Sequence, residues 1–482
     1  MATNRRSSDH HHPHQQNQRD QNESTLAVVM VPLPAQGHLN QLLHLSRLIA
    51  AHNIPIHYVC TATHIHQAKH RIHGWDPRAA TNLHFHEFPI PEFESSSLNP
   101  NATNKFPSHL QPLFEAAAHL RQPLTAFLRS LSHTSHRVVV IHDSLMSSVV
   151  QDVVSIPNAE SYIFHSISAF AIFLYFWEEL GKPFPIDEEL LQEIPSLEDC
   201  FTTEFMDFIV SEENYIGLCS GSLYNASRVV EGKYINLLEK MSEHENKKHW
   251  AIGPFNPVEM TEKKPDELRH ECLRWLDKQE PKSVVFISFG TTTSLPDEQI
   301  KQLAMGLEES KVKFIWVLRD ADRADFNTEN DHEMRKNELP TGFEDGVKEG
   351  GIIVRNWAPQ LEILGHYATG GFLSHCGWNS CMESISMGVP IAAWPMHSDQ
   401  PRNAVLMTKV LKIGIVVKDW GRRGEIVTSI TISGALKRLM GSEEGEQIRR
   451  RAEELGGAVR KAMLEGGATR MEMDSFVAHI SR

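Results

Sequence analysis

The sequence predicts an α/β protein built on two doubly wound parallel sheets. Short apolar runs of strand length alternate with amphipathic segments of helix length, and this alternation occurs in two separate series. Leu26–Val31 opens the first series and is continuously apolar, as expected of a strand that helices cover on both faces. Ser283–Phe289 opens the second. The 482 residues also have room for two domains of ordinary size. We therefore expect two Rossmann-like domains that face a cleft.

The individual elements follow in chain order. Leu26–Val31 runs into a turn, Pro32–Gly37, and then into HLNQLLHLSRLIAAH, which has apolar residues at helical spacing. The further strands predicted in this series are Ile54–Cys60, Arg137–Asp143, Ser161–His165 and Ile216–Leu223. In the second series a predicted helix, Asp297–Ser310, follows the first strand. The later strands predicted there are Phe314–Arg319, Ile352–Arg355, Gly371–Ser374 and Ile391–Trp394.

Changes in composition suggest the domain boundaries. The first 25 residues are rich in His, Gln, Asn and Arg, and we expect a solvated, disordered tail rather than a metal site at its histidines, which are His10, His11, His12 and His14. A polar stretch with Pro254 and Pro257 is the expected linker. The expected units are the tail (1–25), an N-terminal domain (26–240), the linker (241–264), a C-terminal domain (265–460) and a C-terminal helix (461–482) that returns to the N-terminal domain.

Charge and composition exclude several classes of function. The net charge is −14 and the isoelectric point is near 6.0, which argues against nucleic acid or an anionic membrane as a partner. The longest dense apolar run, Ala169–Trp177, is too short to span a membrane, which takes about 20 residues. The N-terminus has no apolar signal region, and six cysteines without a CxxC pair predict neither disulfides nor zinc. We expect a soluble, cytoplasmic protein.

The segments that follow the predicted strands are the candidate site, because ligands bind beyond the carboxyl ends of strands in open α/β sheets. Asn379 and Ser380 lie where a helix is expected to begin, and the free N–H groups there can bind a diphosphate. His375 beside them can donate to a phosphate oxygen. Trp357, at another strand end, can stack on a flat base.

Hydrogen-bond acceptors for hydroxyl groups occur in the same stretch. Glu383 is expected one turn into the helix, where its carboxylate can accept from the vicinal hydroxyls of a ribose. Asp399 and Gln400 close the stretch and offer acceptors and an amide that suit sugar hydroxyls.

A candidate catalytic pair comes from the N-terminal series. His38 follows a strand end and a glycine, so it opens a helix at the cleft. An alcohol needs a nearby base to become a nucleophile, and a neutral imidazole acts best when a carboxylate holds its other nitrogen. Asp143 ends the predicted strand Arg137–Asp143 of the same sheet, so we expect it to contact His38. The alternative for Asp143 is an N-cap of the following helix.

The 44 residues from Trp357 to Gln400 resemble the donor-binding box of plant family-1 UDP-sugar glycosyltransferases, in length and at WAPQ, HCGWNS, Glu383, GVP and DQ. The resemblance covers about residues 26–482 and extends to PAQGHLNQ, where His38 matches the family's catalytic base and Asp143 its partner. It implies a GT-B fold. The implied donor contacts are Trp357, Ala358 and Gln360 at the uracil, Thr291, His375, Trp378 (backbone), Asn379 and Ser380 at the diphosphate, Glu383 at the ribose, and Asp399 and Gln400 at the sugar.

The N-terminal half resembles one branch of the family more closely, the zeatin O-glycosyltransferase-like group, through GHLNQLLHLSRLIAAHNIPIHYV, HGWDP and FPSHLQPLFEA. Gln41, where most members have Pro, agrees with this branch. The resemblance implies inverting transfer of glucose from UDP-glucose to a hydroxyl of a small plant metabolite, preferably a cytokinin such as zeatin, by a monomer without a cofactor or metal. A flavonoid or other phenolic acceptor and a UDP-xylose donor stay open.

Two readings of other classes also stay open. A protein that binds a UDP-sugar or a hormone without catalysis could share the motifs, although the paired His38 and Asp143 argue against it. A dinucleotide-dependent oxidoreductase could share the fold type, although no GxGxxG follows Leu26–Val31.

Overall fold

The computed structural model describes residues 26–72, 74–95, 99–242, 247–258, 269–322 and 339–482. Those residues form two α/β units, each with a parallel sheet, which confirms the fold class that the sequence predicts. The expected tail, 1–25, lies outside the described residues, and so do parts of the expected linker. Within the described ranges, no helix is both long enough and apolar enough to cross a membrane.

In the described residues the first sheet has seven parallel strands in the order β3-β2-β1-β4-β5-β6-β7. These strands are β1 (Leu26–Val31), β2 (Ile56–Cys60), β3 (Leu83–Glu87), β4 (Arg137–Asp143), β5 (Ala159–His165), β6 (Gly221–Tyr224) and β7 (Lys248–Ala251). Val28 and Met30 of β1 belong to one apolar core and Val29 and Val31 to another. The sheet is therefore buried on both faces, which explains the continuous apolar run of β1.

The second sheet, over the same described ranges, has six parallel strands in the order β10-β9-β8-β11-β12-β13. Its strands are β8 (Val284–Ser288), β9 (Lys313–Val317), β10 (Gly351–Val354), β11 (Thr369–Ser374), β12 (Ile391–Ala393) and β13 (Gly414–Val416).

Helices occupy most of the remaining described chain. They are α1 (Gln36–Ala50), α2 (Ala62–Arg71), α3 (Gln111–Ala117), α4 (Arg121–Thr134), α5 (Ser147–Val150), α6 (Ala169–Glu179), α7 (Glu188–Glu193), α8 (Thr203–Ile216), α9 (Arg228–Met241), α10 (Glu271–Leu276), α11 (Asp297–Ser310), α12 (Phe343–Gly346), α13 (Gln360–Leu364), α14 (Trp378–Met387), α15 (Gln400–Val405), α16 (Ser429–Gly441), α17 (Glu443–Met463) and α18 (Ala468–Ile480).

Each sheet reverses its strand order at one place, between β1 and β4 in the first unit and between β8 and β11 in the second. A crevice opens beyond the carboxyl ends of the strands at such a switch point. His38 follows β1 and Asp143 ends β4, whereas Thr291 follows β8 and His375 follows β11. The topology therefore places the predicted catalytic pair and two predicted diphosphate residues at the two switch points.

The last helix, α18, packs on the first unit. The fully buried ring of Phe476 lies 5.4 Å from the ring of Tyr162 and 5.2 Å from that of Trp250, measured between centroids. Glu472 of the same helix accepts a 2.5 Å hydrogen bond from Arg228 of α9. The chain thus returns to the first unit after α17.

Several strands differ from those predicted from the sequence, and the strands that were not predicted at all lie at sheet edges. β3, β7 and β13 were not predicted, and β7 lies within the expected linker, where it pairs with β6. β3 and β7 mix polar and apolar residues, as partly exposed edge strands do, so they lack a continuous apolar run. β13 has only three residues, and an apolar run as short as Ile413–Val417 cannot be assigned to a strand by its pattern alone. The predicted strand Ile216–Leu223 is also corrected: Ile216 ends α8, and the strand begins only at Gly221.

Candidate active site

A cavity of about 700 Å³ lies between the two units, at the carboxyl ends of both sheets. Every predicted site residue lines this cavity except Asp143, which lies directly behind His38. The lining residues among the predicted ones are His38, Thr291, Trp357, Ala358, Gln360, His375, Trp378, Asn379, Ser380, Glu383, Asp399 and Gln400. The fold thus brings residues from both units to one place.

His38 and Asp143 are in direct contact. His38 Nδ1 lies 2.6 Å from Asp143 Oδ2, and 23% of the His38 side chain is exposed while the Asp143 side chain is fully buried. The other carboxylate oxygen of Asp143 accepts the N–H of Leu145 at 3.0 Å, so Asp143 is both a cap and a partner of His38. A proton on Nδ1 satisfies this contact, which leaves the lone pair of His38 on Nε2.

The surroundings of His38 make its imidazole more basic. Burial on its own would lower the pKa of His38, but the charge and hydrogen bond of Asp143, together with the charge of Asp399, outweigh burial and raise the pKa above its usual value. The neutral imidazole, which can accept a proton, is therefore the main form only above this raised pKa.

Gln41 secures the first turn of the helix that carries His38. Its amide nitrogen donates to the carbonyl oxygens of Ser166 at 2.8 Å and Gly37 at 3.3 Å, and its amide oxygen accepts from Asn225 at 2.9 Å. A proline at position 41 could make none of these side-chain hydrogen bonds. The polar residue at this position therefore ties α1 to the ends of β5 and β6.

The predicted diphosphate site lies where β11 turns into α14. The ring of His375 fits between two glycines, since a Cβ on Gly290 would lie 2.7 Å and one on Gly377 2.5 Å from His375 Nε2. Burial lowers the pKa of His375 to about 4. His375 is therefore neutral near pH 7 and can donate to a phosphate oxygen only as an uncharged N–H, beside the N–H groups that open α14.

A hydrogen-bonded group of three side chains lies next to the helix start. Gln360, the first residue of α13, donates to Glu383 Oε2 at 2.8 Å and to Ser380 Oγ at 3.0 Å. Burial raises the pKa of Glu383 to about 7, although the hydrogen bond from Gln360 opposes this effect. Two hydroxyl donors of a ribose would stabilise the charged carboxylate in the same way.

Two guanidinium groups flank Trp357, and neither was predicted from the sequence. Arg71 of α2 lies 5.1 Å and Arg319 lies 5.9 Å from the centre of the indole ring. Asp322 pairs with both arginines, and its N–H donates to the carbonyl oxygen of Thr291 at 2.7 Å. Arg319 lies just beyond β9, so the strand-end rule could have identified it. Arg71 lies on a helix of the other unit, and no sequence signal points to it.

The predicted sugar-binding pair opens α15. Burial raises the pKa of Asp399 to about 6, while a hydrogen bond from Asn403 and the charge of His38 oppose this rise. The amide oxygen of Gln400 accepts the N–H groups of Met396 and His397, and its amide nitrogen lies 3.3 Å from His397 Nε2. Both side chains are therefore held in place without a ligand.

Comparison with known proteins agrees with this geometry. The model of the glycosyltransferase N-terminal domain matches residues 24–257, and that of UDP-glucoronosyl and UDP-glucosyl transferases matches residues 255–446. A zeatin O-glucosyltransferase of Phaseolus lunatus is 55% identical over 460 residues, which cover 95% of this chain and 98% of that protein. The chain belongs to the plant family-1 UDP-glycosyltransferases. The family resemblance expected from the motifs is confirmed.

Two further relatives extend the comparison of this glycosyltransferase. A zeatin O-xylosyltransferase of Phaseolus vulgaris is 52% identical over 460 residues, 95% of this chain and 99% of that protein. The crystal structure of a glycosyltransferase from Siraitia grosvenorii in complex with UDP has a TM-score of 0.72 at 26% identity and covers 95% of this chain and all of that one. The chain is thus an enzyme of the UDP-glycosyltransferase class, with a UDP-sugar as donor.

Two residues of the donor box bind the other unit of the glycosyltransferase. Asn379 Nδ2 donates to the carbonyl oxygen of Gly37 at 2.7 Å, and the indole N–H of Trp378 donates to that of Asn225 at 2.9 Å. The Trp378 side chain is therefore committed to the contact between the units, and only its backbone N–H can face a ligand.

Aromatic rings and carboxylates line the part of the glycosyltransferase cavity that the first unit provides, which we name the acceptor side because we propose that the acceptor binds there. The rings are Phe106, Phe114, Tyr175, Phe176, Phe201 and Phe205, and the carboxylates are Glu178, Glu179, Glu212 and Glu213. Among the described residues of the first unit that line the cavity, none is Lys or Arg. Tyr175 and Phe176 belong to Phe170–Trp177, whose aromatic residues the sequence leaves open between helix core and acceptor-pocket wall. The other residues were not predicted, because they come from separate segments that no motif joins.

Proposed function

We propose that this glycosyltransferase is an inverting O-glucosyltransferase that transfers glucose from UDP-glucose to a hydroxyl of a small plant metabolite, preferably a cytokinin such as zeatin. The observation that carries the proposal is the 2.6 Å contact between His38 and Asp143, in the wall of a cavity that the donor box also lines. The relatives that bear the names zeatin O-glucosyltransferase and zeatin O-xylosyltransferase support the acceptor class.

In the proposed reaction, His38 Nε2 takes the proton of the acceptor hydroxyl. The acceptor oxygen forms a bond to the anomeric carbon from the face opposite UDP, while the bond from that carbon to the β-phosphate oxygen breaks and UDP leaves with the electron pair. The α-linked glucose of the donor becomes a β-glucoside. Asp143 stabilises the imidazolium that forms and keeps its ring in the productive orientation.

The donor is held by the second unit. Trp357 stacks on the uracil, with the Ala358 backbone and Gln360 beside it, and Glu383 binds the ribose. The start of α14 stabilises the departing diphosphate, together with Thr291, His375, the Trp378 backbone, Asn379 and Ser380. Asp399 and Gln400 bind the glucose. The hydrogen-bond donors around the diphosphate stabilise its negative charge, as a metal cation would. We therefore expect activity to be the same with and without EDTA. A loss that Mg²⁺ restores would contradict this assignment.

The acceptor side favours a neutral ring with N–H donors. Its aromatic rings can stack on a planar heterocycle, and its carboxylates can accept hydrogen bonds. An acceptor with its own carboxylate, such as a phenolic acid, would bring a like charge close to Glu179 and Glu213, which is unfavourable. This arrangement therefore supports a purine cytokinin or an uncharged phenol as the acceptor, and it disfavours a phenol that carries a carboxylate.

The direct test uses the purified protein, two donors and a panel of acceptors. UDP-glucose and UDP-xylose are each incubated with trans-zeatin, cis-zeatin, a flavonol and a phenolic acid, and products are read by mass and by the coupling constant of the anomeric proton. We expect a β-glucoside of zeatin as the main product. UDP-xylose is the second candidate donor because the relative at 52% identity bears the name of a xylosyltransferase.

Two results would contradict the proposal in different ways. Transfer to the flavonol alone would correct the acceptor class. UDP binding without UDP release in the presence of any acceptor would instead favour a binding protein. The cytoplasmic location and the monomeric state stay predictions, and gel filtration with light scattering tests the latter.

A further inference from the structure

Asn403 lies between the predicted sugar-binding residues and the acceptor side of the cavity. It is fully buried on α15, and its amide nitrogen donates to Asp399 Oδ2 at 2.6 Å and to the carbonyl oxygen of Cys376 at 2.9 Å. Its amide oxygen accepts from the hydroxyl of Ser168 at 2.7 Å. Both N–H groups and the oxygen of one side chain are thus used, and one of the partners is a carboxylate that lines the cavity.

Ser168 connects this amide to the acceptor side. It belongs to the first unit, where its hydroxyl accepts the N–H of Ala171 at 3.0 Å and caps α6. Several side chains of α6, among them Tyr175 and Phe176, line the acceptor side of the cavity. One asparagine therefore joins the carboxylate that would hold the sugar to the helix that would hold the acceptor.

The neighbouring residue provides a second connection. Arg402 is buried and pairs with Glu178 at the other end of α6, and its guanidinium lies 4.2 Å from the ring centre of Tyr175. The two contacts, one at each end of α6, fix this helix against α15. Asn403, Ser168 and Arg402 make these contacts from behind the cavity wall, since none of them is among the lining residues.

We propose that Asn403 is a positioning residue for the donor sugar: it orients the Asp399 carboxylate and, through Ser168, aligns that carboxylate with helix α6. The proposal rests on the proposed function, in which Asp399 binds the glucose. A neutral amide suits this position because its N–H group stabilises the charged carboxylate without placing a cation beside the sugar.

The surroundings of Asp399 explain why this hydrogen bond matters. The titratable groups that face it are His38 on α1, Tyr175 on α6, Cys200 before α8 and Cys381 on α14. Of these, only a protonated His38 favours the charged carboxylate. Burial already raises the pKa of Asp399 to about 6, so loss of the Asn403 N–H would leave more of the carboxyl protonated near neutral pH.

The test compares sugar binding with nucleotide binding. In Asn403→Ala we expect the KM for UDP-glucose to rise about tenfold, as for a lost hydrogen bond to a charged group, while the inhibition constant of UDP changes less than twofold. The ratio of the two constants rises as the pH falls and Asp399 becomes protonated, and in Asn403→Ala this rise should begin at a higher pH than in the wild type. Asn403→Asp, which places a second carboxylate against Asp399, should shift this dependence to still higher pH.

Two matched variants separate positioning from folding. Asn158 also donates from its amide to backbone carbonyls, those of Ser132 and Ser135 at the end of α4, so Asn158→Ala should lower the melting temperature and leave both constants unchanged. Ser168→Ala keeps the amide and removes its link to α6, so it should raise the KM for UDP-glucose in the same direction by a smaller factor. If Asn403→Ala does not fold, Ser168→Ala alone tests the proposal.

An unchanged ratio in both Asn403→Ala and Ser168→Ala, at every pH, overturns this inference. An equal loss of UDP and UDP-glucose binding also overturns it, because that result indicates a general disturbance of the cleft. If the wild type transfers no sugar from UDP-glucose, the proposed function fails, and the two failures are therefore distinguishable.

Discussion

The side-chain amide of Asn379 donates a 2.7 Å hydrogen bond to the carbonyl oxygen of Gly37. Asn379 lies in the first turn of α14, at the predicted diphosphate site, and Gly37 directly precedes His38. This contact therefore joins the group that would hold the leaving diphosphate to the turn that carries the base. An in-line displacement needs both held in one geometry, and such alignment is a large part of what an enzyme contributes.

Replacing the Asn379 amide should weaken both the binding of the diphosphate and the positioning of His38. In Asn379→Ala we expect UDP affinity to fall about tenfold or more, since a hydrogen bond to a charged phosphate is lost, and kcat to fall because the His38 turn loses its tie. Titration with UDP and steady-state kinetics measure the two effects. Uridine has no diphosphate, so its affinity should stay the same. An equal loss for uridine would mean that Asn379 supports the fold and not the phosphates.

Asp143→Asn tests the electrostatic part of the mechanism. Asp143 raises the pKa of His38 against the effect of burial, so the pKa should fall in this variant. Because the base must be unprotonated, the acid limb of the kcat profile should move to lower pH. At the same time kcat should fall by about 10²- to 10⁴-fold, since the imidazolium is no longer stabilised. An unchanged acid limb in the pH profile would show that Asp143 does not set the basicity of His38.

Glu383, the proposed ribose-binding residue, predicts that UDP affinity depends on pH even when no sugar is transferred. The pKa of Glu383 is raised to about 7 by burial, so the carboxylate that accepts from ribose hydroxyls forms only as the pH rises through this value. UDP affinity should therefore increase from pH 6 to pH 8. Calorimetric titration of the wild type and Glu383→Gln tests this, because the variant should bind weakly and show no such increase. A pH-dependent affinity that persists in the variant would assign the effect to another group.

The C-terminal helix should be essential for the stability of the first unit. Phe476 is fully buried against Tyr162 and Trp250, so Phe476→Ala should lower the free energy of unfolding by about 3–5 kcal/mol. Met471 on the same helix is 60% exposed, and Met471→Ala should change it by about 0.5 kcal/mol or less. Chemical denaturation measures both. Equal effects of the two substitutions would contradict the packing of α18 on the first sheet.

The interior of the fold could be predicted because burial on both faces leaves a plain signature. β1, β4 and α11 have the bounds that the sequence predicts, since apolar runs or helical spacing define them fully. β2 starts at Ile56 and not at Ile54, and the intervening Pro55 has no N–H to donate to a neighbouring strand. β3 reads LHFHE, a mixed sequence suited to an edge, and such a strand cannot be told from a loop without its neighbours.

Some of the site residues could likewise be predicted from the sequence, and others could not. Most of the predicted donor residues lie in one stretch, Trp357–Gln400, at the strand ends of one sheet, so the strand-end rule and the family resemblance of that stretch were enough to predict them. Thr291 lies outside the stretch and was predicted from the resemblance alone. Asn403 and Arg319 lie close to that stretch or at another strand end, but neither was predicted as part of the site from the sequence. Asn403 is identified by its contact with Ser168 and Arg319 by its contact with Asp322, and these contacts form only in the folded chain. The acceptor wall depends on how segments from Phe106 to Glu213 pack together. Tertiary structure sets this arrangement, and a local pattern does not encode it.

The most direct test of the mechanism measures glucose transfer by the wild type and by His38→Ala, with UDP affinity determined on the same preparations. His38 contacts Asp143 and lies on the acceptor side, so its loss should remove the base and leave the nucleotide site intact. We predict that kcat for zeatin falls by about 10²- to 10⁴-fold or more while the dissociation constant of UDP stays within about twofold. Near wild-type turnover in His38→Ala would show that another group takes the proton.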